Sequence, residues 1–321
     1  MPRFPSRLAV AGTAVVLAAG LTTPTAVQAA AKPSARARAL SWVAMGDSYT
    51  AGVIEATGAE TEPIDGCART VGSYPEIARR DLGSLVDQHN VSCSGATTEN
   101  VDATKLSPLG RPLPPLGSDP NAPYPPVPPQ IDAVGPATDL ITVGIGGNDL
   151  GFAEILKNCI ELGATHLGQG TPCKDAYDAS LPGRLTGLRD AYDRMLTALH
   201  AKAPFAKVLT VGYPHLVPED VNLCTYGDLR QFVTFTTGDL AWARTAIVEP
   251  LNAAIARTTA AHGDTFVDLY PSTAGHSVCD ADHWLDGVLT SILPLKYALV
   301  HPNARGQANA AVVVENAVLG G

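Results

Sequence analysis

Short apolar runs alternate with longer stretches of helical periodicity along most of the chain. The runs at 42–45, 139–145, 208–211 and 265–269 are brief and apolar, as buried strands are, and 86–92 supplies a further strand. Several of them stop at glycine beside a small polar residue. The run at 139–145 is the strongest, apolar and β-branched as a central parallel strand should be. Between the strands, Ser73-Tyr74-Pro75-Glu76 suits a helix start with proline in the first turn, and Ile77, Leu82 and Leu85 can form its buried face. Leu181, Leu185, Leu188, Tyr192, Leu196 and Leu199 mark a second helix that ends at Ala203-Pro204. Leu240, Ile247, Leu251 and Ile255 mark a third, kinked at Pro250. An Ala- and Val-rich helix closes the chain after His301-Pro302-Asn303. Such alternation predicts an α/β fold with one parallel sheet covered on both faces.

Three segments fall outside this pattern. Arg3 and Arg7 precede an apolar run over 8–21 and a small-residue stretch around Val27-Gln28-Ala29, which reads as a secretory leader cleaved near Ala29-Ala30-Ala31. That run is too short to span a bilayer comfortably, and no later one approaches ~20 apolar residues, so an exported chain without a membrane anchor is expected. Residues 30–40 read as a flexible arm, which leaves 41–321 as a single domain. The Pro-rich segment 106–130 can form neither helix nor central strand; it is a surface excursion, either a wall or lid over a site or an extended brace.

Charge and cysteine content narrow the function classes. The formal net charge is −9, and loss of the two leader arginines takes it to −11, a surface that repels nucleic acid and anionic membranes. Lipid substrates remain open, because an apolar rim can meet them. The six cysteines, Cys67, Cys93, Cys159, Cys173, Cys224 and Cys279, are even in number and contain no C-x-x-C pair. In an exported chain that favours disulfides over metal thiolates. Many connectivities are possible; sequential pairing closes the shortest loops and is the expected one.

Chemistry is concentrated at strand ends. Ser48 follows the run 42–45 in Gly46-Asp47-Ser48-Tyr49, where a hydroxyl at the sheet's carboxyl edge can be a nucleophile or simply a helix cap. A serine hydrolase also needs a base and oxyanion donors. Of eight histidines, His301 stands apart: Pro302 fixes the backbone after it and Asn303 can cap the helix that follows. His283 lies among Asp280, Asp282 and Asp286, but with no recognisable ligand spacing, and no metal is expected. Three donors can converge from three strand ends: the backbone N–H of Ser48, that of Gly95, and the side-chain amide of Asn148. There is no G-x-S-x-G, so the usual α/β-hydrolase elbow is excluded.

Four ordered blocks carry a family resemblance: Gly46-Asp47-Ser48-Tyr49, Cys93-Ser94-Gly95-Ala96-Thr97, Gly146-Gly147-Asn148-Asp149 and His301-Pro302-Asn303. With the cysteines between them, the chain resembles the GDSL-type SGNH hydrolases, most closely the secreted lipases, esterases and phospholipases A1 of Streptomyces and related actinobacteria. The resemblance implies a three-layer α/β/α, flavodoxin-like fold with a central five-stranded parallel sheet and sequential disulfides. It implies Ser48 as nucleophile, His301 as base, and Ser48, Gly95 and Asn148 as oxyanion donors. Many members carry an aspartate three residues before the histidine, where this chain has Ala298. The expectation is therefore a Ser48–His301 dyad oriented by a backbone carbonyl near Ala298, with Asp280, Asp282 and Asp286 as distant alternatives. Asp47 would brace the turn. The expected function is a secreted, monomeric carboxylic ester hydrolase acting on small-molecule or lipid esters, with no cofactor. Phospholipase A1, carbohydrate O-deacetylase and non-catalytic binding relative are the competing readings.

Overall fold

Alternation along the strands sends side chains to two separate cores. The structure, a computed structural model, describes residues 38–52, 54, 59–111 and 119–320, so the leader at 1–29 and the arm as far as residue 37 lie outside the described residues. Five strands, β1 (Leu40–Gly46), β2 (Val86–Asn90), β3 (Leu140–Gly144), β4 (Lys207–Val211) and β5 (Thr265–Val267), form one parallel sheet in the order β2-β1-β3-β4-β5. Trp42 and Ala44 of β1 point to one face, where they pack with Tyr74, Ala78 and Leu82 of α2 (Tyr74–Leu82) and Ala310, Ala311 and Val314 of α9 (Ala304–Leu319). Val43 and Met45 point to the other, against Val101 of α3 (Thr98–Asp102), Leu188 and Leu196 of α6 (Leu181–Lys202), and Leu251 and Ile255 of α8 (Glu249–Ala261). This period-two division of one strand between two helical layers is what makes the molecule three layers thick.

Several expected boundaries move. β1 begins at Leu40 rather than 42, and Arg38, read as part of the arm, holds Asp139 with both carboxylate oxygens within 2.8 Å of one guanidinium nitrogen. The buried face of α2 is Tyr74, Pro75, Ala78 and Leu82; Leu85 is exposed, because the helix ends at Gly83 and a short 3₁₀ turn shifts the phase. The interruption expected at Pro250 lies one turn earlier, as a π-helical segment over Ala243–Val248 between α7 (Thr237–Trp242) and α8. Pro250 has no N–H for the carbonyl four residues back and crowds it, and widening the ladder relieves both problems. Four strands too short to show periodicity escaped the sequence reading: β6 (Leu285–Asp286), β7 (Leu289–Ile292), β8 (Leu295–Tyr297) and β9 (His301–Pro302). β6 pairs with β9 and β7 with β8.

The cysteines are joined in sequence order, Cys67 with Cys93, Cys159 with Cys173, and Cys224 with Cys279. Among the described residues no helix is long and apolar enough to cross a membrane.

Candidate active site

Gly46 sits where the chain must leave β1 at close quarters. Its φ is 151°, and a Cβ there would lie 2.2 Å from Thr50 Oγ1 and 2.4 Å from the Gly144 carbonyl oxygen, so no other residue fits. The turn that follows enters α1 (Ser48–Ala51). Its cap is Asp47, whose carboxylate accepts from Tyr49 N–H at 2.9 Å, and Ser48 is the first helical residue. The hydroxyl is thereby left for other use. Ser48 Oγ lies 2.7 Å from His301 Nε2, across 253 positions of sequence.

What orients His301 differs slightly from the expectation. Its Nδ1 is 2.8 Å from the carbonyl oxygen of Leu299, with the Ala298 carbonyl as a second, weaker influence. A carbonyl can only accept, so Nδ1 carries the hydrogen and Nε2 is left as the acceptor for the Ser48 hydroxyl. Leu299 and Val300 have φ of 54° and 62°, a left-handed pair without glycine. Each such residue costs on the order of 1–3 kcal/mol and persists only where its surroundings over-determine it. Here Ala298 and Leu299 N–H both donate to Val288 O, Val300 N–H donates to Gly287 O, and Val300 O accepts from Tyr49 OH at 2.5 Å. The fold-back aims the Leu299 carbonyl at the ring two residues on. The alternative carboxylates are occupied elsewhere: Asp280 accepts from Ser277, Asp282 pairs with Arg305, and Asp286 accepts from Asn303 at 3.2 Å. Asp286 is the ladder partner of His301 through backbone alone.

His301 is buried, with its ring 4.5 Å from that of Tyr49. Burial holds its pKa down at about 4, against the opposing pull of the two carbonyls. The imidazole is neutral at neutral pH and able to accept a proton.

The three candidate oxyanion donors line one cleft with Ser48 and His301. Among the described residues, neither Ser48 N–H nor Gly95 N–H has an acceptor. Gly95 has φ of 85° and open space where a Cβ would be, so glycine is needed for the backbone conformation and not to make room. One hydrogen of the Asn148 amide donates to Ala96 O at 2.8 Å, which fixes the side chain beside the Gly95 loop. The Cys67–Cys93 bridge and the adjoining Arg69, which donates to Ser92 O and pairs with Asp65, anchor that loop from behind.

Several positioning residues were not visible in the sequence. Asp149 accepts from both the backbone N–H and the hydroxyl of Thr98, tying the Asn148 turn to the helix that follows Gly95. Tyr213 OH accepts from Gly147 N–H at 2.7 Å and donates to Asp47 at 2.6 Å, joining the Ser48 and Asn148 turns. Burial pushes the Asp47 carboxyl up to about 7 despite the bonds it accepts from Tyr213 and Tyr49. Three buried carboxamides act as surrogate peptide groups at the strand ends. Gln130 bonds both N–H and C=O of Gly46, Asn252 both groups of Tyr213, and Gln307 accepts from Tyr74 N–H while donating to Tyr49 O. Asp149 lies in one of the four sequence blocks and Tyr213 at a strand end, a place it shares with many loop residues; the three carboxamides carry no sequence signal.

The cleft has a volume of about 650 Å³. Phe152, Leu156 and Ile160 of α4 (Phe152–Thr165) line it together with Leu216, Ile247, Val248 and Leu251. Leu109 and Arg111 of the Pro-rich segment also line it, so that excursion contributes to a wall. Such walls accept hydrocarbon, while the polar groups gather at Ser48.

A family model described as GDSL-like lipase/acylhydrolase matches residues 44–308. "Lipase 2" of Streptomyces coelicolor is 33% identical over 91% of this chain and 89% of its own length. The solved phospholipase A1 of Streptomyces albidoflavus superposes with a TM-score of 0.63 at 26% identity, covering 87% of this chain and 99% of that one. The extracellular lipase of Streptomyces rimosus gives 0.61 at 26% identity, covering 87% of this chain and all of the other.

Proposed function

The chain belongs to the GDSL-like lipase/acylhydrolase family, and on that premise we propose that it hydrolyses carboxylic esters of long-chain acids through an acyl-enzyme on Ser48. One observation carries the reading: Ser48 Oγ stands 2.7 Å from a neutral His301 Nε2 whose other nitrogen is tied to a carbonyl. As Oγ attacks the acyl carbon, its proton passes to Nε2. The oxyanion that forms takes hydrogen bonds from Ser48 N–H, Gly95 N–H and the Asn148 amide. The departing alcohol collects the proton from Nε2, and water repeats the sequence to release the acid. The imidazolium is stabilised by the Leu299 and Ala298 carbonyl dipoles in place of a carboxylate. The apolar cleft favours an acyl chain over a sugar acetate as the group beside Ser48, which argues for lipid esters and against a carbohydrate deacetylase.

The protein acts outside the cell as a single domain. Supporting this are the leader-like pattern around Arg3 and Arg7, the paired cysteines and the similarity to a lipase described as extracellular. The test is a fluorophosphonate probe with p-nitrophenyl esters. Ser48 should take the label, and Ser48→Ala should lose both label and turnover with its melting temperature unchanged. Turnover surviving in Ser48→Ala would refute the reading.

A further inference from the structure

Behind one wall of the cleft lies a second, smaller space. It is a small apolar space of about 20 Å³ lined by Ile155, Val217, Phe232, Phe235, Leu240 and Ala243 together with residues of the cleft wall. Five side chains face both spaces: Phe152, Leu156, Leu216, Ile247 and Val248. A void of this size in a wholly apolar setting has no polar partner to hold water. Through those five shared side chains it adjoins the hydrocarbon-lined cleft. Two of them, Ile247 and Val248, are carried on the π-helical segment, a local irregularity that recurs at functional positions.

We propose that Phe152 and Ile247 form a partition that sets the longest acyl chain the enzyme accepts, with the void behind them as space the chain enters only when the partition is cut back. The proposal rests on the ester-hydrolase reading above. The acyl chain runs from Ser48 along the α4 side of the cleft and its terminal methyl stops at the partition. Each further methylene taken out of water multiplies kcat/KM by about fourfold, so a chain reaching two carbons further gains on the order of tenfold.

The experiment measures kcat/KM for p-nitrophenyl esters from acetate to palmitate, in one detergent, for wild type, Phe152→Ala, Ile247→Ala and the milder Phe152→Leu. Thermal melts show which variants fold. The readout is the ratio of long-chain to short-chain kcat/KM within each protein. Phe152→Ala and Ile247→Ala should raise it by on the order of tenfold, and Phe152→Leu by less in the same direction. Ala243 faces the void and not the cleft, so Ala243→Leu fills the space from behind. It should leave the wild-type profile unchanged and cancel the gain in the Phe152→Ala background. Ratios that stay within about threefold of wild type in every folded partition variant overturn the proposal. So does a gain that survives Ala243→Leu, or a wild-type profile shortened by Ala243→Leu alone. If the wild type hydrolyses no ester and Ser48 takes no label, the underlying reading falls and the partition with it. If hydrolysis and labelling hold and only the ratios stay still, the partition alone is wrong.

Discussion

In the proposed mechanism the chemistry depends on His301, and its environment fixes the pH at which it would work. Burial lowers its pKa from 6.5 to about 4, so the acid limb of kcat/KM on a soluble ester should fall near the lower value. A limb centred at 6.5 or above would contradict the buried, carbonyl-bound ring. The same shift contributes stability that is full above the unfolded pKa of 6.5 and is lost as pH falls through about 4. Asp47 has the opposite sign. Its pKa is raised from 3.8 to about 7, so its contribution is full below 3.8 and is lost as pH rises through about 7. The melting-temperature difference, Asp47→Asn minus wild type, should therefore rise as pH increases from about 4 to about 7 and level off above that. At the oxyanion end, Asn148→Ala should lower kcat by about 10²–10³ while KM changes little, since its amide matters most once charge develops.

At the scale of elements, the strand ends are held by side chains from far away. Gln130, where the Pro-rich segment ends in a 3₁₀ turn, pins the last residue of β1 two positions before Ser48. Gly46 O also accepts from Cys93 N–H, so Gln130→Ala orphans only the Gly46 N–H. That should cost about 1–3 kcal/mol by denaturant titration. Tyr213→Phe removes the hydroxyl shared by Asp47 and Gly147 and should cost a similar amount. The left-handed pair at Leu299 and Val300 belongs to this scale too. The β7–β8 hairpin leads into it, and Val288 and Gly287, just before that hairpin, provide the carbonyls that hold it.

Over the whole molecule, three disulfides lie in the loops and helices around the sheet. In the chain-entropy account a bridge stabilises in proportion to the logarithm of the loop it closes. Cys224–Cys279 closes 55 positions and Cys159–Cys173 closes 14. Replacing the first pair by serine should therefore cost about 1 kcal/mol more than replacing the second. Equal losses in a denaturant titration would mean that native packing around the bridges, and not loop length, decides their effect.

The layered fold and the four blocks that line the candidate site were legible in the sequence because their signals are local. A strand buried on both faces needs a continuous apolar run, as at 139–145, and a strand leaving at close quarters needs a residue without a Cβ, as at Gly46. Where local signals were weak, boundaries slipped: Leu85 kept helical spacing although Gly83 had ended the helix, and the four short strands between 285 and 302 had no period to show. Only the tertiary structure decided what holds His301. The acceptor is the Leu299 carbonyl, turned inward by a left-handed backbone that no residue in 298–300 advertises and that distant hydrogen bonds sustain. The Gln130, Asn252 and Gln307 clamps and the Asp149–Thr98 tie are of the same kind. Each is a contact between positions tens to hundreds of residues apart, and pattern along a chain carries no record of such a contact until folding makes it.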